Sequence, residues 1–345
     1  MTEIIKHKKE SPILGLTGAG GGLTGLTFGG AVITPDGQQD YLAGYDSISG
    51  FQGGTFSWLC PPGVTSVSVV CIGGGGGGGG GALSTASGGG GGACAYKNNI
   101  SVTPGTSYTV VVGSGKYNGT NTESDGGDSY FGSTSTVMAK GGESASDSGY
   151  NGGSAANSVG DGKYAGGNGG ASNGEGGHGG GSSGTAGGSG NWGGSGTATG
   201  GSLGESGSGG GGGYSGDPNP DGCAGGGLAP LWNATRHIGA GGGGGACRDG
   251  SNQSKGGGGG GGGTVGNYVQ NKAPIDGYGT PHCQAGTHFD KRIGGYGGWW
   301  GGGGGAHGLG IVLWSGGHAG AVRIIWSTSG LTRAYPSTNI RDTDI

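Results

Sequence analysis

Uninterrupted glycine runs at 73–81, 88–92, 209–213, 241–245, 256–263 and 301–305 constrain this chain more than any other feature. Glycine loses more conformational freedom on ordering than any other residue, so a folded glycine run must gain something only a bare backbone permits. With 107 glycines in 345 residues the composition lies far from an ordinary domain, where glycine is roughly 7%. Eleven prolines and no strict Gly-X-Y period exclude a collagen triple helix. A flexible linker is the bland alternative. Against it, Trp192, Trp232 and Trp299-Trp300 interrupt the runs, which favours an ordered glycine fold beside a small conventional core.

A run such as 256–263 suits a polyproline-II-like helix rising about 3.1 Å per residue. Such a helix makes no internal hydrogen bonds, so neighbouring helices must satisfy its N–H and C=O groups. Without Cβ atoms the backbones can approach closely. Each interhelix bond contributes about 1 kcal/mol net against a large ordering entropy, so a bundle of this kind needs an anchor.

The anchor is legible from residue 53 onward. Thr55–Cys60 has strand composition and ends at Pro61-Pro62-Gly63, where Pro followed by Gly suits the centre of a type II turn. Ser66–Ile72 alternates at first and places Val67, Val69 and Cys71 on one face. Ala93–Tyr96, Ile100–Val102, Tyr108–Val112, Ser129–Phe131 and Thr136–Ala139 follow, with a turn at Thr103-Pro104-Gly105-Thr106. The remote Ala321–Trp326 is equally apolar and should close the same sheets. Short strands separated by turn signals predict an all-β fold: a small β-sandwich with a long glycine-rich insertion packed as a polyglycine-II helix bundle. Trp58 and Trp326 fall in strands and are expected in the core.

This divides the chain into an N-terminal segment 1–34, a polar connector 35–52, a sandwich of 53–145 plus 319–328, a glycine bundle over 146–318, and a tail 329–345. The first segment carries Ile13, Leu14, Leu16, Leu23, Leu26 and Phe28 between Gly and Thr, without helix or strand period. Unable to bury these residues alone, it is expected to dock on another surface. The tail is polar and is read as disordered or wrapped along a partner.

Charge and motifs remove several function classes. The formal charge is −4 and 10% of residues are charged, with no basic stripe for nucleic acid. No secretory signal or transmembrane-length run is evident. Six cysteines (Cys60, Cys71, Cys94, Cys223, Cys247, Cys283) make no CxxC pair and are read as buried thiols, Cys60–Cys94 being the pairing to consider. GxSxG occurs at Gly180–Gly184 and Gly200–Gly204, but neither lies between a strand and a helix, as a nucleophile elbow requires. His282-Cys283, His288 and Asp290 match no common metal spacing and read as a solvated loop. Asp125 and Asp128, in SDGGDS, offer oxygen ligands for Ca²⁺, but a turn-forming role is preferred. No enzyme, cofactor or metal site is expected.

The run TFSWLCPPGVTSVSVVCIGGGGGGGGG, then ISVTPGTSYTVVVGSG and DGGDSYFGS, resembles the glycine-rich domain of bacteriophage tail proteins over roughly 53–145. GGHAGAVRIIW is similar to the C-terminal end of glycine-rich structural proteins of marine and cyanobacterial phages, and HKKESPILGLTGAGGG to N-terminal segments of virion proteins. The insertion resembles the polyglycine-II bundle of long-tail-fibre adhesins, whose inter-helix loops carry host-receptor contacts. The resemblance implies a virion protein of the tail fibre, assembled in the host cytoplasm. Its N-terminal segment would bind other tail or fibre proteins, and its loops a host-surface glycan or outer-membrane protein. Fibres are commonly trimeric, so a homotrimer is one expectation, although no heptad sets a copy number.

Large, rigid aromatic side chains are the best receptor-contact candidates: Trp192, Tyr214, Trp232 with Arg236 and His237, and Trp299-Trp300. Each is equally well placed as a wedge between glycine helices. The competing expectation is a purely structural head fibre or decoration protein. A third, an ice-binding protein, would want a flat small-residue face rather than Trp-bearing loops.

Overall fold

The computed structural model describes residues 26–28, 31–33, 37–42, 44–46, 50–78, 88–116, 125–144, 151–169, 214–215, 229–230, 239–240, 246–248, 254–256, 301–302, 316–327 and 333–335. Two antiparallel sheets are built from strands β1 (Gly37–Leu42), β2 (Gly54–Leu59), β3 (Ser66–Ile72), β4 (Cys94–Ser101), β5 (Ser107–Val112), β6 (Ser129–Phe131), β7 (Val137–Ala139), β8 (Gly162–Tyr164) and β9 (Ala321–Trp326). One sheet has five strands in the order β8-β4-β3-β9-β1, the other four in the order β7-β6-β5-β2. No helix occurs among the described residues, and the fold is all-β.

Alternation selects the core. Val67, Val69 and Cys71 of β3 face inward as the pattern predicts, beside Val322, Ile324 and Trp326 of β9 and opposite Val110, Val112 and Phe131 of the other sheet. Trp58 is the centre: its ring lies 5.8 Å from those of Phe131 and Trp326 and 5.9 Å from Tyr108. Both Trp58 and Trp326 are core residues, as expected.

The two Pro-Gly turns form as read. Val64 N–H donates to Pro61 C=O at 3.2 Å with Gly63 at φ 80°, and Thr106 N–H donates to Thr103 C=O at 3.1 Å with Gly105 at φ 76°. Cys60 ties the turns together, donating to Thr106 C=O and accepting from Gly105 N–H, each at 2.9 Å.

Some segments behave differently from the sequence reading. GQQDYL, read as connector, is the edge strand β1: its Asp40 meets Arg323 of β9 in a two-pronged ion pair that a pattern of local apolar residues cannot reveal. Gly162–Tyr164, inside the stretch assigned to the bundle, is a sheet strand paired with β4. Part of the tail folds back onto its own sheet. Asn98 and Tyr335 exchange two hydrogen bonds of 2.9 Å, Ser68 Oγ donates to Arg333 C=O, and Arg333 donates to the carbonyls of Gly37 and Trp326. Burial holds the Tyr335 hydroxyl well above its usual pKa range. Cys60, Cys71 and Cys94 are buried and free, so no Cys60–Cys94 disulfide forms, and desolvation raises all three thiols. Of the other cysteines, only the backbone of Cys247 is described, within strand Ala246–Arg248.

Candidate functional site

At one end of the sandwich the strands do not turn back. β3, β5, β7 and β8 run straight out into 73–78, 113–116, 140–144 and 165–169, while 88–93, 125–128 and 316–320 run straight back into β4, β6 and β9. These segments are glycine helices with a period of three. Gly73 and Gly76 both donate to 88–93 (Ala93 and Gly90 C=O), Gly74 to Gly127, and Gly75 to His318, at 2.8–2.9 Å. The next helix repeats the pattern: Gly90 and Ala93 both donate to 140–144, Gly91 to Gly167 and Gly92 to Gly301. A threefold repeat of donors aimed at successive neighbours is the polyglycine-II arrangement.

The same segments show why glycine is required. A Cβ on Gly73 would lie 2.1 Å from Lys140 O, on Gly74 2.2 Å from Ser114 O, on Gly75 2.1 Å from Gly302 O, and on Gly76 2.0 Å from Glu143 O. The N–H groups of 73–76 thus point to one set of helices and their Cα faces to another, so 73–78 is enclosed on every side. Conformational freedom is not the reason. Among the described lattice glycines, only Gly301 has a positive φ, 85°. Close approach of backbone to backbone is the reason.

Polar side chains also accept lattice N–H groups. Asp125 and Asp128, three residues apart, accept the N–H groups of Ser144 and Gly141, also three apart, at 2.9 Å each. In these contacts each carboxylate takes the acceptor place that a carbonyl has elsewhere in the lattice. Lys140 Nζ adds an ion pair to Asp128 at 2.6 Å. Asn168 Oδ1 accepts from Gly152 N–H in the same way. Among the described residues no group of three His, Cys, Asp or Glu side chains could hold a metal. His318 is enclosed in the lattice, where desolvation lowers its pKa to about 4, and its neutral ring donates Nδ1–H to Ala319 C=O at 3.0 Å.

Direction decides where the connections go. The described backbone ends at Gly78, Lys116, Ser144 and Gly169 and re-enters at Gly88, Asp125, Asn151 and Gly316 on the side far from the sandwich. Trp192, Trp232, Arg236, His237, Trp299 and Trp300 lie outside the described residues. Gly301, which follows the Trp pair, enters the lattice at its sandwich end, level with Ala319 and Gly92. Tyr214 begins a two-residue strand paired in parallel with Ala246–Arg248. Of the N-terminal apolar set, Ile13, Leu14, Leu16 and Leu23 lie outside the described residues. Leu26 and Phe28 fall in a strand paired with Ala31–Ile33, in a segment read as having no strand period.

The sequence reading missed the part that 53–145 plays in the lattice. The signal was present: each glycine block there abuts a strand without an intervening turn residue. No curated protein matches this sequence. The family model described as "Glycine-rich domain" matches residues 49–268, more than half of the 345-residue chain, and so takes in both the strands that seed the lattice and many of the glycine runs. This chain belongs to that glycine-rich domain family.

Proposed function

We propose that this chain is a bacteriophage virion protein, a tail fibre or fibre-tip adhesin that binds a host-surface glycan or outer-membrane protein without catalysis. The observation that carries this is the lattice itself. Glycine helices seeded by the sandwich open the connections 79–87, 117–124, 145–150 and 303–315 at one far end, while 170–300 leaves there and re-enters beside the sandwich at Gly301, so several connections share a face suited to reading a receptor. A backbone-packed scaffold holds the spacing of those connections almost independently of their sequence. They can therefore diverge without disturbing the fold. The N-terminal segment, with Leu26 and Phe28 in its hairpin, serves as the attachment to other tail or fibre proteins.

Purified full-length chain is expected to bind susceptible host cells and to compete with phage adsorption. Replacing Trp192, Trp232, Trp299 and Trp300 together by Ala should abolish competition while leaving the thermal unfolding of the sandwich in place. Absence of competition by the intact, folded chain would leave a purely structural virion role, such as a head fibre or decoration protein.

A further inference from the structure

The sandwich has four sheet edges, and they are treated differently. β7 is bridged by Val159, which exchanges hydrogen bonds of 2.8 and 2.9 Å with Met138. β8 is three residues long, carries Lys163 and is flanked by Asp161, whose carboxylate caps Asn98 N–H. β1 holds the charge of Asp40, and Arg333 covers its Gly37 carbonyl at 2.7 Å. These are familiar ways to stop a sheet from adding a strand.

Among the described residues β2 has none of them. Its six residues, GTFSWL, include no charge and no proline, and its pairing with β5 is regular from Gly54↔Val112 to Leu59↔Ser107. Cys60 donates toward β5, to Thr106. By strand alternation, Phe56 and Trp58 turn their backbone groups the same way, while Thr55, Ser57 and Leu59 turn theirs to the open edge. There the Ser57 carbonyl meets the Tyr41 hydroxyl at 3.5 Å, the weak limit of a hydrogen bond. Leu59 is 63% and Phe56 38% exposed; they are the large apolar side chains left in water among the described residues.

We propose that β2 is a pairing edge for a second copy of this chain, whose own β2 adds antiparallel across a twofold axis and joins two four-stranded sheets into one. An uncharged strand meets its own copy without like-charge repulsion, and the antiparallel twofold suits identical partners. With Ser57 near the axis, Leu59 of each copy lies opposite Thr55 of the other, covering the exposed leucines. This pairing is independent of receptor binding, and it gives an even copy number rather than the trimer usual for fibres.

Light scattering and sedimentation of the full chain at micromolar concentration are expected to show a dimer. Thr55→Lys with Ser57→Lys should weaken it at least tenfold while leaving the melting profile within a few degrees. As a second measurement, Ser57→Cys should give a disulfide-linked dimer under mild oxidation, because cross-strand Cα atoms about 5.5 Å apart suit a disulfide. Thr109→Cys, on the neighbouring central strand β5, should not. A monomer or trimer across the concentration range, or a dimer unaffected by both lysines and uncrosslinked by Ser57→Cys, overturns the proposal.

Discussion

The sandwich core and the glycine lattice are two solutions to the same packing problem, and they use opposite materials. Around Trp58, large side chains interdigitate and specificity comes from their shapes. Around 73–78, backbone carbonyls occupy the sites where side chains would begin, and specificity comes from what is missing. The core therefore fails when atoms are removed, the lattice when they are added. The lattice also spends its hydrogen bonds differently, since every helix depends on its neighbours and none is stable by itself.

The largest effect should follow adding one methyl group. Gly76→Ala places a Cβ 2.0 Å from Glu143 O and 2.4 Å from its carbonyl carbon, with backbone on both sides unable to yield. A loss above about 4 kcal/mol, seen as collapse of the cooperative melt, is expected. A melt close to that of the unmodified chain would mean that the lattice can open locally. The mirror experiment in the core is Trp58→Ala, expected to cost about 4 kcal/mol in denaturant titration.

The next effect is set by pH. His318 is held neutral with a pKa lowered to about 4 from an ordinary 6.5. Between those values the unfolded chain binds the proton and the folded chain does not. Stability is thus full above about pH 6.5, declines as pH falls toward 4, and changes no further through this group below that. The whole effect is on the order of 3 kcal/mol. Melting of the unmodified chain against His318→Gln over this range should isolate it, the variant losing that part of the slope.

Smaller still is the lateral finish of the lattice. Asp128→Ala leaves Gly141 N–H without its acceptor and removes an ion pair about one-third exposed, for about 2 kcal/mol. Hydrogen exchange at Gly141 should accelerate before exchange in the core does. Smallest is Gly105→Ala, where an added Cβ meets nothing within 4 Å but must accept φ 76°. About 1 kcal/mol is expected, measured as a small shift in melting temperature. The distance between Gly76→Ala and Gly105→Ala separates glycine needed for space from glycine needed for conformation.

Much of the sandwich was legible because its signals are local. Val67, Val69 and Cys71 alternate, and the Pro62-Gly63 and Pro104-Gly105 pairs can hardly do anything but turn. β1 was not legible, because Asp40 is polar and its partner Arg323, like Arg333 on the Gly37 carbonyl, lies about 290 positions away. β8 was hidden by its length of three residues and its place among glycines. The polyglycine-II period could be inferred from what glycine runs permit, but not which helix neighbours which. That depends on the order of strand ends, which is a property of both sheets together. Asp125 and Asp128 were read as isolated turn residues because their partners, Ser144 and Gly141, are recognisable only once helices 125–128 and 140–144 lie side by side. The candidate aromatic residues rest on the chemistry of their side chains; the lattice adds that the chain after Trp299-Trp300 re-enters it beside the sandwich, at Gly301.

The chain's topology also governs when it can fold. β9 is the last of the sandwich strands described to be synthesised, yet it lies between β3 and β1, two strands made early, and Gly75 donates its hydrogen bond to His318. Neither the five-stranded sheet nor the lattice can be completed until the ribosome has passed Trp326. A product ending anywhere before that residue lacks the middle of its sheet and one wall around its central glycine helix. Such contacts between sequence extremes make folding slow. They also make it a checkpoint: only a chain translated past Trp326 can complete the five-stranded sheet, and copies terminated before it remain open to proteases.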